Sequence, residues 1–288
     1  MKYVVTGGAG AIGSRLVQRL LDGGADRVIV VDDLSSGHEW LLPKDPRLEL
    51  RRDSVTNIDA YYPESNFAVF HLAALFANQN SIENPEDDLF TNAYGTLKVL
   101  RWALKHDARF VVYAGAGCSV GSERTPYQIS KAFGESYCRY FREQLGLDVR
   151  IRRLRNSYGP GEVPGIYRNA IPNFVWTAMH DAPITITGTG DESRDFVYVD
   201  DTVNALCRTD GPEDVGTGVK TCVRWLVDAI LSITKSKSEI RFAPARPWEH
   251  PHAPCTEPIA SPTLLLAGLE RTYWWLSTNS DRIERMSR

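Results

Sequence analysis

A phenol and an ammonium group stand four residues apart in Tyr127-Gln128-Ile129-Ser130-Lys131, a spacing that puts both on one face of a helix. A phenol ordinarily keeps its proton up to about pH 10, so it needs positive charge nearby to act as a base near neutrality. Lys131 and a cationic ring would supply that charge, letting Tyr127 take the proton of a substrate hydroxyl. Alone, the pair reads as an ordinary packed and solvated helix face. Its weight comes from what stands at the start of the chain.

There, Thr6-Gly7-Gly8-Ala9-Gly10-Ala11-Ile12-Gly13 follows a first apolar run and opens a first helical pattern. Gly7, Gly10 and Gly13 have the spacing of a dinucleotide fingerprint. Gly7 permits a tight turn, Gly10 lets the backbone approach a pyrophosphate, and Gly13 lets helix and strand pack closely, with the helix N-terminus facing the negative charge. The second apolar run ends in Val31-Asp32, nineteen residues beyond Gly13, where a carboxylate can accept hydrogen bonds from an adenosine ribose. The competing reading, a tight turn with an unrelated acid, has to explain strand, loop, helix and acid in the right order. A carboxylate at position 32 repels the extra phosphate of NADP and no Arg follows it directly, so NAD is the expected cofactor. Arg51 and Arg52, further along, weigh slightly the other way.

The elements that must hold these residues are visible as alternation. Short runs at Lys2–Thr6, Arg27–Val31, Leu48–Arg51, Ala68–Leu72, Arg109–Ala114 and Val149–Leu154 read as strands, most of them rich in apolar residues as strands covered on both faces should be. Helical patterns lie between them at Ile12–Leu21, Asn92–His106 and Pro126–Leu145. The expected fold class is therefore α/β, a Rossmann-type doubly wound parallel sheet with a smaller C-terminal substrate-binding lobe. The expected division is an NAD-binding domain over 1–154 and a mainly substrate-binding lobe over 155–288, with some segments of the latter returning to the main sheet. Prolines at 160, 164, 172 and 183, and a cluster from Pro244 to Pro262, mark the looser second part.

Composition narrows the partners. With 33 Lys and Arg against 36 Asp and Glu, a formal charge of −3, the chain has no general attraction for nucleic acid or an anionic membrane. The five cysteines show no Cys-x-x-Cys pair or other metal-ligand spacing, so neither a disulfide framework nor a metal site is expected. Met1 runs directly into Tyr3-Val4-Val5 without a charged n-region and long h-region, and no apolar stretch has membrane-spanning length. A cytoplasmic, reduced protein is the expectation.

Further segments carry a resemblance. They are Asp32-Asp33-Leu34-Ser35-Ser36-Gly37, Asp53-Ser54, His71-Leu72-Ala73-Ala74, Asn92-Ala93-Tyr94-Gly95-Thr96, Arg155-Asn156-Ser157-Tyr158-Gly159-Pro160-Gly161 and Arg194-Asp195-Phe196-Val197-Tyr198-Val199-Asp200-Asp201. With the glycine loop and the Tyr127/Lys131 pair, the chain resembles, over nearly its whole length, the extended short-chain dehydrogenase/reductases, specifically the nucleoside-diphosphate-sugar epimerases and dehydratases. The resemblance implies an NAD site formed by Gly7, Gly10, Ala11, Ile12, Gly13, Asp32 and Asp33. Asp53 and Ser54 would lie at the adenine, and Leu72, Ala73 and Ala74 along the cofactor groove. Asn92, Tyr127 and Lys131 would also belong to the NAD site, with Asn92 supporting the active-site backbone and Tyr127 and Lys131 serving the chemistry as well. It also implies a substrate diphosphate near Asn156, Arg194 and Arg246, a nucleotide ribose near Glu249, and a homodimer formed by the helices at 92–106 and 126–145. Guanidinium groups suit a diphosphate because they make bidentate, charge-assisted bonds. For each of these residues taken singly, the ordinary alternative is a surface salt bridge.

The chain also departs from that family. Relatives carry a Ser or Thr after the fifth strand, bonded to the sugar hydroxyl that is oxidised; here the loop reads Ala114-Gly115-Ala116-Gly117-Cys118-Ser119-Val120-Gly121, with Ala116 in that place and Ser119 nearby. Where the sugar dehydratases place a Glu, this chain has Cys118. A thiol can move protons, with an ordinary pKa of about 8.5 that nearby cations lower, although a free cysteine is also commonly a small buried hydrophobe. Only Ser122 to Pro126 separate the loop from Tyr127, a shorter excursion than in relatives, with similar compressions at 216–221 and 261–264. Three functions are compatible with these features: a dehydratase of a UDP-hexose or UDP-N-acetylhexosamine, with Cys118 as base; a 4-epimerase, which needs no base at C5; and a non-catalytic NAD-binding regulator, which has no use for Tyr127 and Lys131.

Overall fold

The computed structural model describes residues 1–61, 63, 65–117, 124–248 and 258–286. In chain order its first part comprises β1 (Lys2–Thr6), α1 (Ala11–Asp22), β2 (Arg27–Val31), β3 (Leu48–Arg51), β4 (Phe67–His71), α2 (Asn78–Glu83), α3 (Pro85–Asp88), α4 (Gly95–Lys105), β5 (Val111–Ala116), α5 (Pro126–Leu145) and β6 (Val149–Leu154). The six strands lie in the order β6-β5-β4-β1-β2-β3, all paired in parallel, and a short strand at Asp214–Val215 extends the β6 edge to seven. This is the expected Rossmann-type α/β sheet. Strand order reverses at β1, which places the loop after β1 where such sheets bind their ligands.

Side-chain alternation sorts the core into two layers. Val4, Val31, Val69, Val111 and Ile151 face one side with Val99 and Trp102 of α4 and Phe141 of α5. Val5, Val28, Val30, Phe70 and Val112 face the other with Leu16, Val17 and Leu20 of α1 and with Val203 and Leu206. Both faces of the sheet are thus covered, and burying such side chains is worth roughly 1.5–3 kcal/mol each.

The run expected as one helix over 92–106 is built differently. After α3 the chain makes a π-helical stretch, Leu89–Tyr94, before α4 begins at Gly95. A π turn is wider than an α turn and breaks the helical register; here it carries the buried Asn92.

The chain divides into two compact units, 1–154 with 203–214, and 155–202 with 215–288. In the second unit, β7 (Asn156–Tyr158) pairs in parallel with Phe196–Tyr198, and Ser193–Arg194 pairs antiparallel with Thr221–Cys222. A further parallel pair joins Ile184–Thr187 to Ile240–Ala243, with helices at Ala170–Met179, Val223–Thr234 and Leu265–Thr278. No helix among the described residues is long and apolar enough to cross a membrane.

Candidate active site

The glycine loop has the geometry its sequence implies. Gly7 donates from its backbone N to Val31 O at 2.9 Å, closing the turn onto β2, with φ at +70°. A β-carbon on Gly7 would stand 2.6 Å from Ala73 N, and one on Gly13 only 2.1 Å from Gly7 O. Backbone occupies both places, so no side chain fits. Gly10 caps α1 without a side-chain hydrogen bond, and no acid stands in the helix's first turn. That terminus is left for an anion from outside, which is the fit expected for a dinucleotide pyrophosphate.

Asp32 is buried at the end of β2. Its Oδ2 accepts from Ala9 N at 2.8 Å and its Oδ1 from Leu34 N at 2.9 Å. Burial raises its pKa, and the two backbone donors oppose that. Each oxygen keeps a further lone pair for a ribose hydroxyl. Asp53 and Ser54 are engaged locally: Asp53 accepts from Ser54 N, Asn57 Nδ2 and Tyr61 Oη, and Ser54 Oγ caps the Val55–Ala60 turn. The loop after β4 is tied to β1, Leu72 N donating to Thr6 O at 3.0 Å and Ala73 N to Thr6 Oγ1 at 3.3 Å. His71 lies behind it, bonded to Thr6 Oγ1 and Thr96 Oγ1, and complete burial pulls its pKa down to about 3, which keeps the ring neutral.

Helix α5 presents Tyr127 and Lys131. Thr125 caps it, accepting from Gln128 N at 3.3 Å and donating to Asn78 Oδ1 at 2.8 Å, with Pro126 in the first turn. Such a cap is worth about 1 kcal/mol, and here it fixes the turn that carries Tyr127. Tyr127 and Lys131 are both buried, at 9% and 4% exposure. Phe76 meets the Tyr127 ring edge-on with centroids 5.9 Å apart, and Lys131 Nζ lies 4.7 Å from the centre of the Tyr113 ring. Tyr113 Oη also donates to Lys131 O at 3.1 Å, tying β5 to α5. Asn92 holds the backbone of Leu75 in both directions: Leu75 N donates to its Oδ1 at 2.8 Å and its Nδ2 donates to Leu75 O at 3.1 Å. Ala116 is the last residue of β5 and is buried. Cys118, Ser119 and Glu249 lie outside the described residues.

In the second unit, pairing of β7 with Phe196–Tyr198 brings Asn156 and Arg194 into one neighbourhood. Asn156 Nδ2 donates to the carbonyl of Asp195 at 3.1 Å, and Arg194 Nη1 donates to Ser193 O at 2.9 Å. Arg246 is exposed, its guanidinium 5.4 Å from the centre of the Trp248 ring. Asp88 and Glu162, which no sequence motif marks, also belong to these neighbourhoods. Asp88 lies four residues before Asn92 and bonds to it at 2.6 Å. Glu162 accepts from Asn169 Nδ2 at 2.8 Å, and burial raises its pKa to about 7. In the sequence, the four-residue spacing of Asp88 and Asn92 is the signal for their pairing. Among the described residues no group of His, Cys, Asp and Glu could hold a metal ion.

A parallel sheet with a glycine turn at its switch point, an acid at the end of β2 and a buried Tyr/Lys pair define a dinucleotide-dependent enzyme of the short-chain dehydrogenase/reductase type. The comparisons agree. Residues 3–209 match the NAD dependent epimerase/dehydratase family, and the chain belongs to that family, with NAD as its cofactor. It is 32% identical over 275 residues to a UDP-glucose 4-epimerase of Mycolicibacterium smegmatis, covering 85% of this chain and 87% of that protein. Among solved structures it is similar to an epimerase from Methanothermobacter thermautotrophicus, with a TM-score of 0.90, 34% identity, and coverage of 99% of this chain and 94% of that one. It is also similar to the Bordetella bronchiseptica enzyme WbmF in complex with NAD+ and UDP, with a TM-score of 0.88, 32% identity, and coverage of 99% and 94%.

Proposed function

We propose that this chain acts on a UDP-linked sugar, with Tyr127 taking the proton of the C4 hydroxyl as that carbon is oxidised. The observation that carries this reading is the burial of Tyr127 and Lys131 one turn apart on a capped helix in the same unit as the glycine loop. NAD supplies the hydride acceptor when bound. The ammonium of Lys131 favours the phenolate of Tyr127 and so lowers the pH at which it accepts a proton. Asn156, Arg194 and Arg246 are assigned to the diphosphate and Glu249 to the nucleotide ribose, with 1–154 as the NAD-binding domain and 155–288 as mainly the substrate lobe. The UDP bound to WbmF supports the choice of nucleotide.

For the fate of the 4-ketone we propose 5,6-dehydration. The ketone acidifies the C5 hydrogen; the Cys118 thiolate removes that proton and returns it to the departing C6 hydroxyl, releasing water. With NAD bound, hydride returned to C4 together with the proton held by Tyr127 would leave a 5,6-alkene. Hydride delivered to C6, with a solvent proton taken up at C5, would leave a 4-keto-6-deoxy sugar, Tyr127 then releasing its proton to solvent. Support comes from Cys118 in the place of an acid and from Ala116 in the place of a hydroxyl. The loop also resembles that of the UDP-N-acetylglucosamine 5,6-dehydratase of tunicamycin biosynthesis, an antibiotic pathway. The second reading is 4-epimerisation, favoured by the Mycolicibacterium relative. NMR of UDP-N-acetylglucosamine and UDP-glucose incubated with the protein in heavy water separates the two. Dehydration yields alkene or keto-deoxy signals; epimerisation yields the C4 epimer with no deuterium at C5. Cys118→Ala is expected to stop dehydration while still showing reduced-cofactor absorbance; near-normal dehydration by that variant would remove Cys118 from the mechanism.

The assembly proposed is a homodimer. Phe90 and Tyr94 of the π-helical stretch are 60% and 42% exposed, and Ile129, Phe133 and Tyr140 of α5 are 56%, 46% and 50% exposed. Large apolar side chains left open on adjacent helices suit a second copy of the same surface. Light scattering at micromolar concentration is expected to give twice the chain mass, and Phe133→Glu to give the monomer. A wild-type monomer would count against the pairing.

A further inference from the structure

The carboxylate of Asp88 has no part in the chemistry described so far, yet it is 1% exposed at the end of α3. Its Oδ1 accepts from Asn92 Nδ2 at 2.6 Å, and its Oδ2 is buried without a hydrogen-bond partner among the described residues. A buried acid with one oxygen unsatisfied costs stability. Burial raises its pKa, and Ser130, Asn92 and the charge of Lys131 oppose that rise.

Each of those three groups leads to the reactive pair. Ser130 Oγ donates to Tyr127 O at 3.1 Å and lies 3.3 Å from Asn92 Nδ2. Lys131 is the ammonium of the pair. Asn92 holds Leu75, and the next residue, Phe76, packs its ring against that of Tyr127. The other acids on α2 and α3, Glu83, Glu86 and Asp87, are exposed, where water screens them. Around Lys131, His71 on β4 is held neutral, and burial pushes the Tyr113 phenol of β5 and the Cys138 thiol of α5 up, which keeps both protonated. Glu135, one turn beyond Lys131 on α5, is also buried but is paired with Arg139 and Arg153. Asp88 is the buried acid near the pair with no cationic partner of its own among the described ion pairs, and it is joined through Asn92 to Ser130, the residue next to Lys131.

We propose that Asp88 is a positioning residue whose negative charge, working with Asn92 and Ser130, keeps Lys131 an ammonium and sets the pH range in which Tyr127 accepts a proton. The inference rests on the reading of Tyr127 and Lys131 as the reactive pair. A negative charge stabilises a neighbouring ammonium and disfavours a neighbouring phenolate, so its removal moves both limbs of the pH–rate profile toward lower pH.

The test uses the full-length protein with NAD. Asp88→Asn keeps an oxygen for Asn92 and removes the charge; its alkaline limb is expected to fall by on the order of one pH unit, with KM and bound NAD unchanged. Asp88→Glu keeps the charge, and its limbs are expected to stay in place even if kcat drops. A purely structural role predicts the opposite ranking, because the longer acid disturbs packing more than the isosteric amide. Asp88→Ser, smaller and neutral, repeats the test if the amide variant does not fold. A second measurement needs no turnover: the ultraviolet phenolate titration of the protein minus that of Tyr127→Phe isolates Tyr127, and its midpoint is expected to fall when Asp88→Asn is added. If the offered UDP-sugars are not turned over, the function proposed above fails while this titration still decides the role of Asp88. Unmoved limbs in Asp88→Asn, or an unmoved midpoint, would overturn the inference.

Discussion

Tyr127→Phe is expected to abolish turnover and to leave NAD binding intact. The substitution removes one oxygen and keeps the ring, so the edge-on contact with Phe76 survives and α5 keeps its Thr125 cap. Position 127 lies far along the chain from the glycine turn and Asp32, and the variant changes none of the groups there. What is lost is the group proposed as proton acceptor. General-base catalysis contributes typically ~10²–10⁴-fold, so kcat is expected to fall by that order, with the NAD content of the purified protein unchanged. Single-turnover measurement should show no reduced cofactor on adding UDP-sugar. A fall of less than about tenfold on that scale would make Tyr127 a packing residue and return the pair to the ordinary helix-face reading.

The second large effect belongs to Gly13→Ala. The added methyl would sit 2.1 Å from Gly7 O and 2.7 Å from Gly8 Cα, and the atoms it meets are backbone. No side-chain rotation relieves such a clash; α1 has to move away from the turn, and Gly7 cannot give way because its own free space ends at Ala73 N. Overpacking of this kind costs about 1–3 kcal/mol, but the larger consequence is for the cofactor. The turn no longer closes, and with the glycine loop proposed as the pyrophosphate site the variant is expected to purify without NAD, read by absorbance of the cofactor released on denaturation. Gly24→Ala is the control. Gly24 has a positive φ of +81° and nothing within 4 Å of its would-be β-carbon, so a methyl there strains the backbone locally and leaves NAD in place. Full NAD content in Gly13→Ala would show that the loop is not the pyrophosphate site.

Much of this architecture was legible in the amino-acid sequence, for a local reason. Lys2–Thr6, Arg27–Val31, Leu48–Arg51 and Val149–Leu154 form strands with the bounds their apolar runs suggest, and Pro126–Leu145 forms one helix. These elements are covered on both faces or closed by strong signals, Thr125-Pro126 at the start of α5 and Gly146 in the left-handed conformation at its end. The glycine loop belongs with them, because each of its glycines answers a constraint set within a few residues or by the next strand.

The tertiary structure decided what depends on distant partners. Asn92 was expected in an uninterrupted helix, but its side chain serves Leu75 and Asp88 at once, and the chain adopts a π turn there. Asp88 closes the acidic run Glu86-Asp87-Asp88, and the fold buries it while leaving the other two exposed. Likewise Asn156 and Arg194, 38 residues apart, become neighbours through the pairing of β7 with Phe196–Tyr198. Local sequence sets which elements form, because propensity, capping and apolar period act over a few residues. Which acid is buried, and which polar groups it meets, is set by packing across elements, where desolvation makes a single carboxylate count.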